Sequence, residues 1–457
     1  MKISVINGSP KGGHSITLQH IHYSTKKNPG HDVEIINVAS RIRKIEKDKS
    51  LFNEIIEKMA QADAIIWSFP VYYALIPSQM KRFIELIFER CALDLFKGKY
   101  TTSLTTSINF FDHTAHNYMQ GVCEELGFLY VKSYSANMDD FFDSNKREKI
   151  VTFYRWFIKM VEKKVSVARK YPIRHVDAVV YEPGEIERRG ITCDRKVLLL
   201  TDALEEDTNL ANMVDVFTKY SSMPVVIKNI HHIDIKNGCI GCCTCGYDNT
   251  CVQKDDYQKF FNDNLREADI IIIAATIKDH YLSSTWKKFL DRSFFNGHAP
   301  VLMDKRLGFI ISGPLSQIQN LRETLEALAE IWHMKTFGIV TDEASTSEET
   351  TDYIYAFAKE LEFATYDNLE FGSKFYQVAG KKIFRDFIYL TNAVFRADHV
   401  FYKKFGFYND FPQRKIKKRL TNAIFSLFIS IRPLRKKIHE RFITSMVAPY
   451  VKILDKI

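Results

Sequence analysis

The stretch Lys2-Ile-Ser-Val-Ile-Asn-Gly-Ser-Pro-Lys-Gly-Gly-His-Ser-Ile-Thr17 sets the reading of the whole chain. Its first six residues form a short apolar run, the signature of a buried strand. A glycine-rich turn follows, and a helical pattern begins at Ser15. Glycines between a strand and a helix let the backbone come close to a ligand. The helix N-terminus adds free N–H groups and a favourable dipole for an anion. Ser9, Ser15 and Thr17 supply hydroxyls, and Lys11 a positive charge. The spacing is neither the dinucleotide-binding glycine pattern nor the Walker pattern. His14, in the same loop, is as easily a solvent-facing residue as a phosphate partner.

Outward from this stretch, strands alternate with helices. Strand patterns fall at 33–38, 64–69, 100–106 and, weakly, 132–136. Helical patterns fall at 50–61, 78–90, 113–126 and 148–170. The strand at 64–69 lacks alternation and is expected to be covered on both faces. Five strands alternating with helices predict a parallel, doubly wound sheet. The pattern then repeats, with strands at 196–200, 225–230, 269–274, 307–312 and 336–340 and helices at 210–220, 282–292 and 321–333. The repeat is visible in the residues. Ala62-Asp-Ala-Ile-Ile66 matches Ala268-Asp-Ile-Ile-Ile272, and Lys81-Arg-Phe-Ile-Glu85 matches Lys287-Lys-Phe-Leu-Asp291. The second copy carries an insertion between its first and third strands. The expected organisation is an α/β domain over 1–170, a linker over 171–194, a second α/β domain over 195–372, and a basic helical region over 373–457.

A second motif, Phe69-Pro-Val-Tyr-Tyr-Ala-Leu-Ile-Pro77, follows the third strand of copy one. It lies at the carboxyl edge of the sheet, where open α/β folds bind ligands. Two prolines and two tyrosines form a stiff apolar and aromatic wall suited to a flat heterocycle.

Together these residues resemble the flavodoxin-like NAD(P)H-dependent FMN reductase family, and more closely its iron–sulfur flavoprotein branch. The resemblance covers residues 1 to about 165 and about 195 to 345. It implies two tandem flavodoxin-like five-stranded sheets. It implies an FMN phosphate held by Ser9, Lys11, Ser15, Ile16 and Thr17. Pro70, Val71, Tyr72 and Tyr73 would line the isoalloxazine, and Ser107, Asn109 and Phe110 would complete the pocket. Copy two departs from this pattern. Its corresponding loop carries Asp202, Glu205, Glu206 and Asp207, which repel a phosphate, and Thr276-Ile-Lys-Asp279 replaces the aromatic wall. Copy two is therefore expected to bind FMN poorly or not at all.

Eight cysteines in 457 residues do not describe a disulfide scaffold. Five of them lie within 239–251, in the insertion of copy two. Cys239, Cys242, Cys245 and Cys251, with Cys243 as an extra thiol, are soft ligands packed into one loop. A [4Fe–4S] cluster, a zinc ion and unmetallated thiols all fit this spacing. Cys91, Cys123 and Cys193 read as core or incidental thiols.

Family members generally dimerise with the flavin of one subunit near the cluster of another. The resemblance thus implies an intrachain pseudo-dimer, which could assemble into a further homo-oligomer. FMN in copy one would face cysteines in copy two. The implied activity is an FMN- and iron–sulfur-dependent oxidoreductase. It would pass electrons between NAD(P)H as cosubstrate, or a ferredoxin-like redox partner, and a small-molecule acceptor. Two alternatives stay open: an NAD(P)H:FMN or quinone reductase without a cluster, and a non-catalytic membrane-associated scaffold.

Composition bounds the rest. With 46% hydrophobic and 26% charged residues, a largely disordered chain is excluded. The longest apolar run, around 423–431, is far below the ~20 residues of a membrane span. A strand at the very start leaves no place for a signal peptide, so a cytoplasmic location is expected. The net charge of +9 hides an asymmetry: residues 373–457 hold 19 Lys and Arg against 5 acids, whereas the remainder is net acidic. In that region Arg414-Lys-Ile-Lys-Lys-Arg419 and Arg435-Lys-Lys437 flank apolar residues 423–431. An anionic membrane surface at the inner face, packing on the acidic body or another subunit, and nucleic acid are the readings. No recognition motif accompanies the charge, so nucleic acid is not expected.

Overall fold

A computed structural model describes the chain except residues 92, 175–179, 371, 373 and 410–414. The middle of the expected linker, the first residue of the expected basic region (Ser373) and Arg414 of its first basic run lie outside the described residues. Two compact units emerge, and they are not simply the two halves. One comprises Met1–Ile173, Asn237–Asp248 and Ile383–Ile457; the other comprises Arg174–Lys236 and Asn249–Lys382.

In the first unit, β1 (Lys2–Asn7), β2 (Asp32–Asn37), β3 (Ala64–Pro70), β4 (Tyr100–Ser107), β5 (Leu129–Tyr130) and β6 (Tyr134–Asn137) form one parallel sheet of order β2-β1-β3-β4-β5, with β6 also pairing β4. This is the flavodoxin order, with its switch point between β1 and β3. The expected fifth strand over 132–136 is two short strands on either side of residues 131–133. β5 pairs with Tyr100 and Thr101, and β6 with the stretch from Leu104 to Ser107. Between them the Lys132 carbonyl accepts the Thr102 hydroxyl at 2.7 Å.

Helices α1 (Ile16–Lys27), α2 (Lys49–Gln61), α3 (Ser78–Arg90), α4 (Asp112–Glu125) and α5 (Ser144–Glu162) flank this sheet. Their starts follow capping chemistry: Asp48 accepts from the Leu51 N–H, and Asp143 from Asn145 and Lys146. The helix expected to reach 170 stops at Glu162, where Lys164 turns to φ +47°. Ile3, Val5, Ile66, Leu104 and Phe157 form the core. β4 is rich in Ser and Thr yet buried. It is tolerated because its hydroxyls are satisfied. Thr101 donates to the Ile65 carbonyl, and Ser103 and Thr105 meet His116. Burial pushes His116 down to about 4, so it is neutral there.

The second unit repeats the plan. β7 (Val197–Thr201), β8 (Val225–Asn229), β9 (Ile270–Thr276), β10 (Arg306–Ser312) and β11 (Lys335–Thr341) are parallel in the order β11-β10-β9-β7-β8. Its helices are α6 (Thr208–Tyr220), α7 (Ser284–Arg292), α8 (Gln319–Ile331) and α9 (Ser347–Tyr366). Tyr181, in the segment between the copies, is 1% exposed and joins this core. Its N–H donates to Asn209 Oδ1, so the segment is anchored rather than loose.

Five helices follow: α10 (Phe375–Thr391), α11 (Arg396–Lys404), α12 (Ile416–Ser430), α13 (Arg432–Glu440) and α14 (Phe442–Leu454). α14 packs on α1 in the first unit, with Tyr450 and Leu454 joining Phe141 in a small buried cluster. Among the described residues, no helix is long and apolar enough to cross a membrane.

Candidate active site

The carboxyl edge of the first sheet gathers three loops. The first runs from β1 to α1. Asn7, a polar residue closing an apolar strand, braces it: its Nδ2 donates to the Gly12 carbonyl (2.8 Å) and to Asn37 Oδ1 (2.7 Å), and its Oδ1 accepts from the Ser9 N–H (3.2 Å). Gly8 admits no side chain, since a Cβ there would lie 2.1 Å from Met80 Sδ. Ser9 accepts from the Lys11 N–H, and Ser15 caps α1 by accepting from the Leu18 N–H. A hydroxyl that accepts a backbone bond keeps its proton to donate elsewhere. Lys11 Nζ lies 3.8 Å from Met446 Sδ, a weak acceptor. The loop therefore holds hydroxyl donors, an ammonium and a helix N-terminus together, a donor set that fits a phosphate.

Thr17 and Ile16 do other work. The Thr17 hydroxyl is fully buried and sits 2.6 Å from that of Thr106, tying α1 to the end of β4. Ile16 packs in the cluster of Phe141, Tyr450 and Leu454.

The second loop joins β3 to α3. Tyr72 and Leu75 exchange backbone hydrogen bonds in both directions. Tyr73 and Ala74 between them adopt φ +40° and +60°. Two central residues with positive φ are the mark of a type I′ turn, unusual without glycine and costing about 1–3 kcal/mol each. The wall thus owes its shape to a strained turn as well as to its prolines. Pro70 closes β3, and the Val71 N–H donates to the Thr106 carbonyl. Thr114 donates to the Ala74 and Phe111 carbonyls, joining this loop to the third. In that third loop the Ser107 hydroxyl accepts from the Asn109 N–H, Asn109 Oδ1 accepts from Asn137, and Phe110 meets Phe384 edge-on at 5.1 Å.

The cysteine loop closes over these residues, inside the same unit. Gly241, at φ +66°, approaches so closely that a Cβ would sit 2.0 Å from Tyr72 Oη and 2.9 Å from Lys11 Cε. Gln79, at the start of α3, donates to the Cys239 carbonyl at 3.1 Å. C-terminal helices hold the far side of the loop. Arg396 donates to Tyr247 Oη at 2.7 Å, the Arg435 guanidinium stacks 4.1 Å from the Tyr247 ring, and Ala393 and Ile429 bury it.

The thiols have separate partners. Gly241 N–H donates to Cys239 Sγ, and Cys243 Sγ donates to the Gly241 carbonyl. Desolvation pushes the Cys243 thiol up, against the opposing pull of Lys11. Cys245 opens a short helical turn, Cys245–Asp248. Cys251 belongs to the second unit, where its Sγ accepts from Arg292 Nη2 at 3.7 Å and Arg292 pairs with Asp255. Among the described residues, no three His, Cys, Asp or Glu side chains gather as metal ligands. The loop in this conformation does not fit a cluster.

The corresponding edge of the second sheet is closed by its own charges. Asp207 pairs with Lys278 at 3.0 Å. Burial raises its pKa, but the Leu204 N–H and Lys278 outweigh this and hold the carboxyl below its usual range. Asp202 is 4% exposed and accepts the Ser283 hydroxyl. Burial pushes it up to about 6, against the Ser283 hydroxyl and the Trp286 N–H.

Asn7, Gln79, Thr106 and Thr114 position the site, although sequence reasoning passed over them. The only signal was polarity at the ends of buried strands and at the start of a helix.

Comparison with known proteins bears on this geometry. A curated relative, an iron–sulfur flavoprotein of Archaeoglobus fulgidus, is 30% identical over 105 residues, which are 22% of this chain and 47% of that protein. The chain thus spans about half the length of the curated relative it matches. Similar solved structures include the flavoenzyme NAD(P)H:(acceptor) oxidoreductase FerB of Paracoccus denitrificans (16% identity, 35% of this chain and 97% of that one, TM-score 0.30). Another is an NAD(P)H:quinone oxidoreductase of Methanothermobacter marburgensis (9% identity, 37% and 100%, TM-score 0.31). The family model of NADPH-dependent FMN reductase matches residues 1–143 and again 196–345. The chain belongs to the NADPH-dependent FMN reductase family, and it carries the family's fold twice.

Proposed function

We propose that the chain is a flavin-dependent NAD(P)H oxidoreductase with one FMN site, in the first unit. The observation that carries this reading is the β1–α1 loop, which holds Ser9, Lys11 and the helix cap Ser15 in one short turn whose backbone Asn7 braces. FMN supplies the redox chemistry, accepting a hydride and releasing electrons singly or in pairs. The protein's part is binding and orientation. Ser9, Lys11 and Ser15 hold the phosphate, and Tyr72 and Tyr73 shape one wall. Thr17 and Ile16 act behind the loop, one on β4 and one on α14. The Gly241 backbone limits solvent access to Tyr72 and Lys11. No side chain is assigned as general acid or base. Electrons come from NADH, NADPH or a ferredoxin-like donor and leave to a small-molecule acceptor. Flavin-stripped full-length protein should take up one FMN per chain and then oxidise NADH or NADPH with a dye acceptor. Failure to bind FMN defeats the proposal.

A second reading adds a [4Fe–4S] cluster on Cys239, Cys242, Cys245 and Cys251. It is favoured by their spacing and by the relative's name, iron–sulfur flavoprotein. No electron step is routed through a cluster. Iron and acid-labile sulfide assayed per chain after anaerobic purification decide between the two readings.

A further inference from the structure

α12 is amphipathic the wrong way round. Ile416, Leu420, Ile424, Leu427, Phe428 and Ile431 recur at helical spacing and fall within about 120° of the helix circumference at ~100° per residue. All six are exposed, with Ile416 at 71% and Leu427 at 70%. The opposite side is the one that packs. There Ile429 is buried against Tyr247 and Ala393, Asn422 donates to the Leu390 carbonyl, and Arg419 stacks on Tyr389. A surface helix normally turns its apolar stripe to the core.

Charge says what covers this stripe. Residues 415–441 hold nine Lys and Arg against one acid, Glu440. Lys415, Lys417, Arg432, Lys436 and Lys437 are exposed, like the stripe. α12 and α13 also share a groove of about 470 Å³ with α14, lined by Phe425, Leu434, Ile438 and Met446 together with Lys437 and Arg441. A second copy would bring like charges together around the stripe. Nucleic acid would meet the cations but leave six large apolar side chains in water. An anionic bilayer satisfies both, with apolar side chains at the acyl boundary and cations at the headgroups.

We propose that α12 and α13 seat the flavin unit on an anionic membrane surface. The stripe enters the interface, and Lys417, Arg432 and Lys436 meet lipid phosphates. α14 belongs to the flavin unit's own packing, so deleting the whole C-terminal region would disturb α1. Point variants are the proper test.

Full-length protein is sedimented with vesicles of phosphatidylcholine alone and with vesicles of equal parts phosphatidylcholine and phosphatidylglycerol. Binding to the anionic vesicles only, weakened by salt, is expected. Leu420→Asp with Leu427→Asp should abolish it, while circular dichroism and FMN content stay unchanged because both positions are exposed. Lys417→Glu with Lys436→Glu should weaken it by at least about tenfold. Equal sedimentation with and without vesicles overturns the proposal. So does a concentration-dependent dimer that the Leu420 and Leu427 variant dissolves, or salt-sensitive binding to nucleic acid without binding to vesicles. The vesicle readout does not depend on flavin, so it stands or falls apart from the activity.

Discussion

At the edge of the first sheet, β1 ends in Asn7 and the chain turns through Gly8 and Ser9 into a capped helix. At the edge of the second, β7 ends in Thr201, and the chain runs on through Asp202 to Asp207 before α6. Both loops leave equivalent strands at the same switch point of the same topology. The first carries two hydroxyls and an ammonium, with Ser15 capping the helix that follows. The second carries carboxylates there, and pairs Asp207 with Lys278 and one oxygen of Asp202 with Ser283. The fold is therefore indifferent to what its edge does. A handful of side chains after the first strand set the charge of that edge.

Making the first edge resemble the second is the severest way to break this contrast. Ser9→Asp with Ser15→Asp places carboxylates in the loop proposed to hold the phosphate. FMN affinity should fall by about a hundredfold or more, roughly 3 kcal/mol, read by flavin fluorescence titration of stripped protein. Asn7→Ala comes next. It removes three hydrogen bonds at once, two of them buried, and the protein should lose about 2–3 kcal/mol in urea unfolding, with FMN bound more weakly. Should stability drop while FMN affinity stays constant, the bracing role given to Asn7 is wrong.

The second edge can be probed through pH. The folded pKa of Asp202 is about 6, raised by burial from an ordinary 3.8. The folded form holds more protons than the unfolded between those values. Asp202 therefore makes stability fall as pH rises from about 4 to about 6, and level off above. Asp202→Asn should remove that fall and raise stability at pH 7 by about 1–3 kcal/mol. Chemical unfolding at pH 4 and pH 7 measures both, and an unchanged pH slope refutes the assignment. Thr17→Val is the mildest change. It deletes the bond to Thr106 and should cost about 1 kcal/mol, with FMN affinity nearly unchanged because that hydroxyl faces the sheet.

What the sequence made legible was local. Apolar runs such as 64–69, the loop after Asn7 and the repeat at 268–272 each carry their pattern within a few residues, so strands, order and duplication could be read. Ends were less legible. The strand at 132–136 is interrupted because Lys132 answers Thr102, a neighbour thirty residues away. Of the residues expected to hold the flavin phosphate, Ser9, Lys11 and Ser15 share the β1–α1 loop, whereas Thr17 bonds to Thr106 of β4 and Ile16 packs against α14. The company of the cysteine loop was legible only through the family resemblance, which sets the cysteines of copy two against the flavin site of copy one. Residues 237–248 lie in the second copy by sequence and pack on Gln79, Tyr72 and Lys11 of the first, through contacts about 160 to 230 residues apart. No periodicity records such a contact.

The chain passes between the units after Ile173, Lys236, Asp248 and Lys382. The second unit is therefore nested within the first, and the cluster of Phe141, Tyr450 and Leu454 joins residues more than 300 apart. On a ribosome, everything the second unit needs has emerged by Lys382, while the first still lacks α14. Domains ordinarily fold in the order they are made. This chain departs from that order: the first sheet has all its strands by Asn137, yet the face that α14 will cover stays open until the unit synthesised after it has emerged.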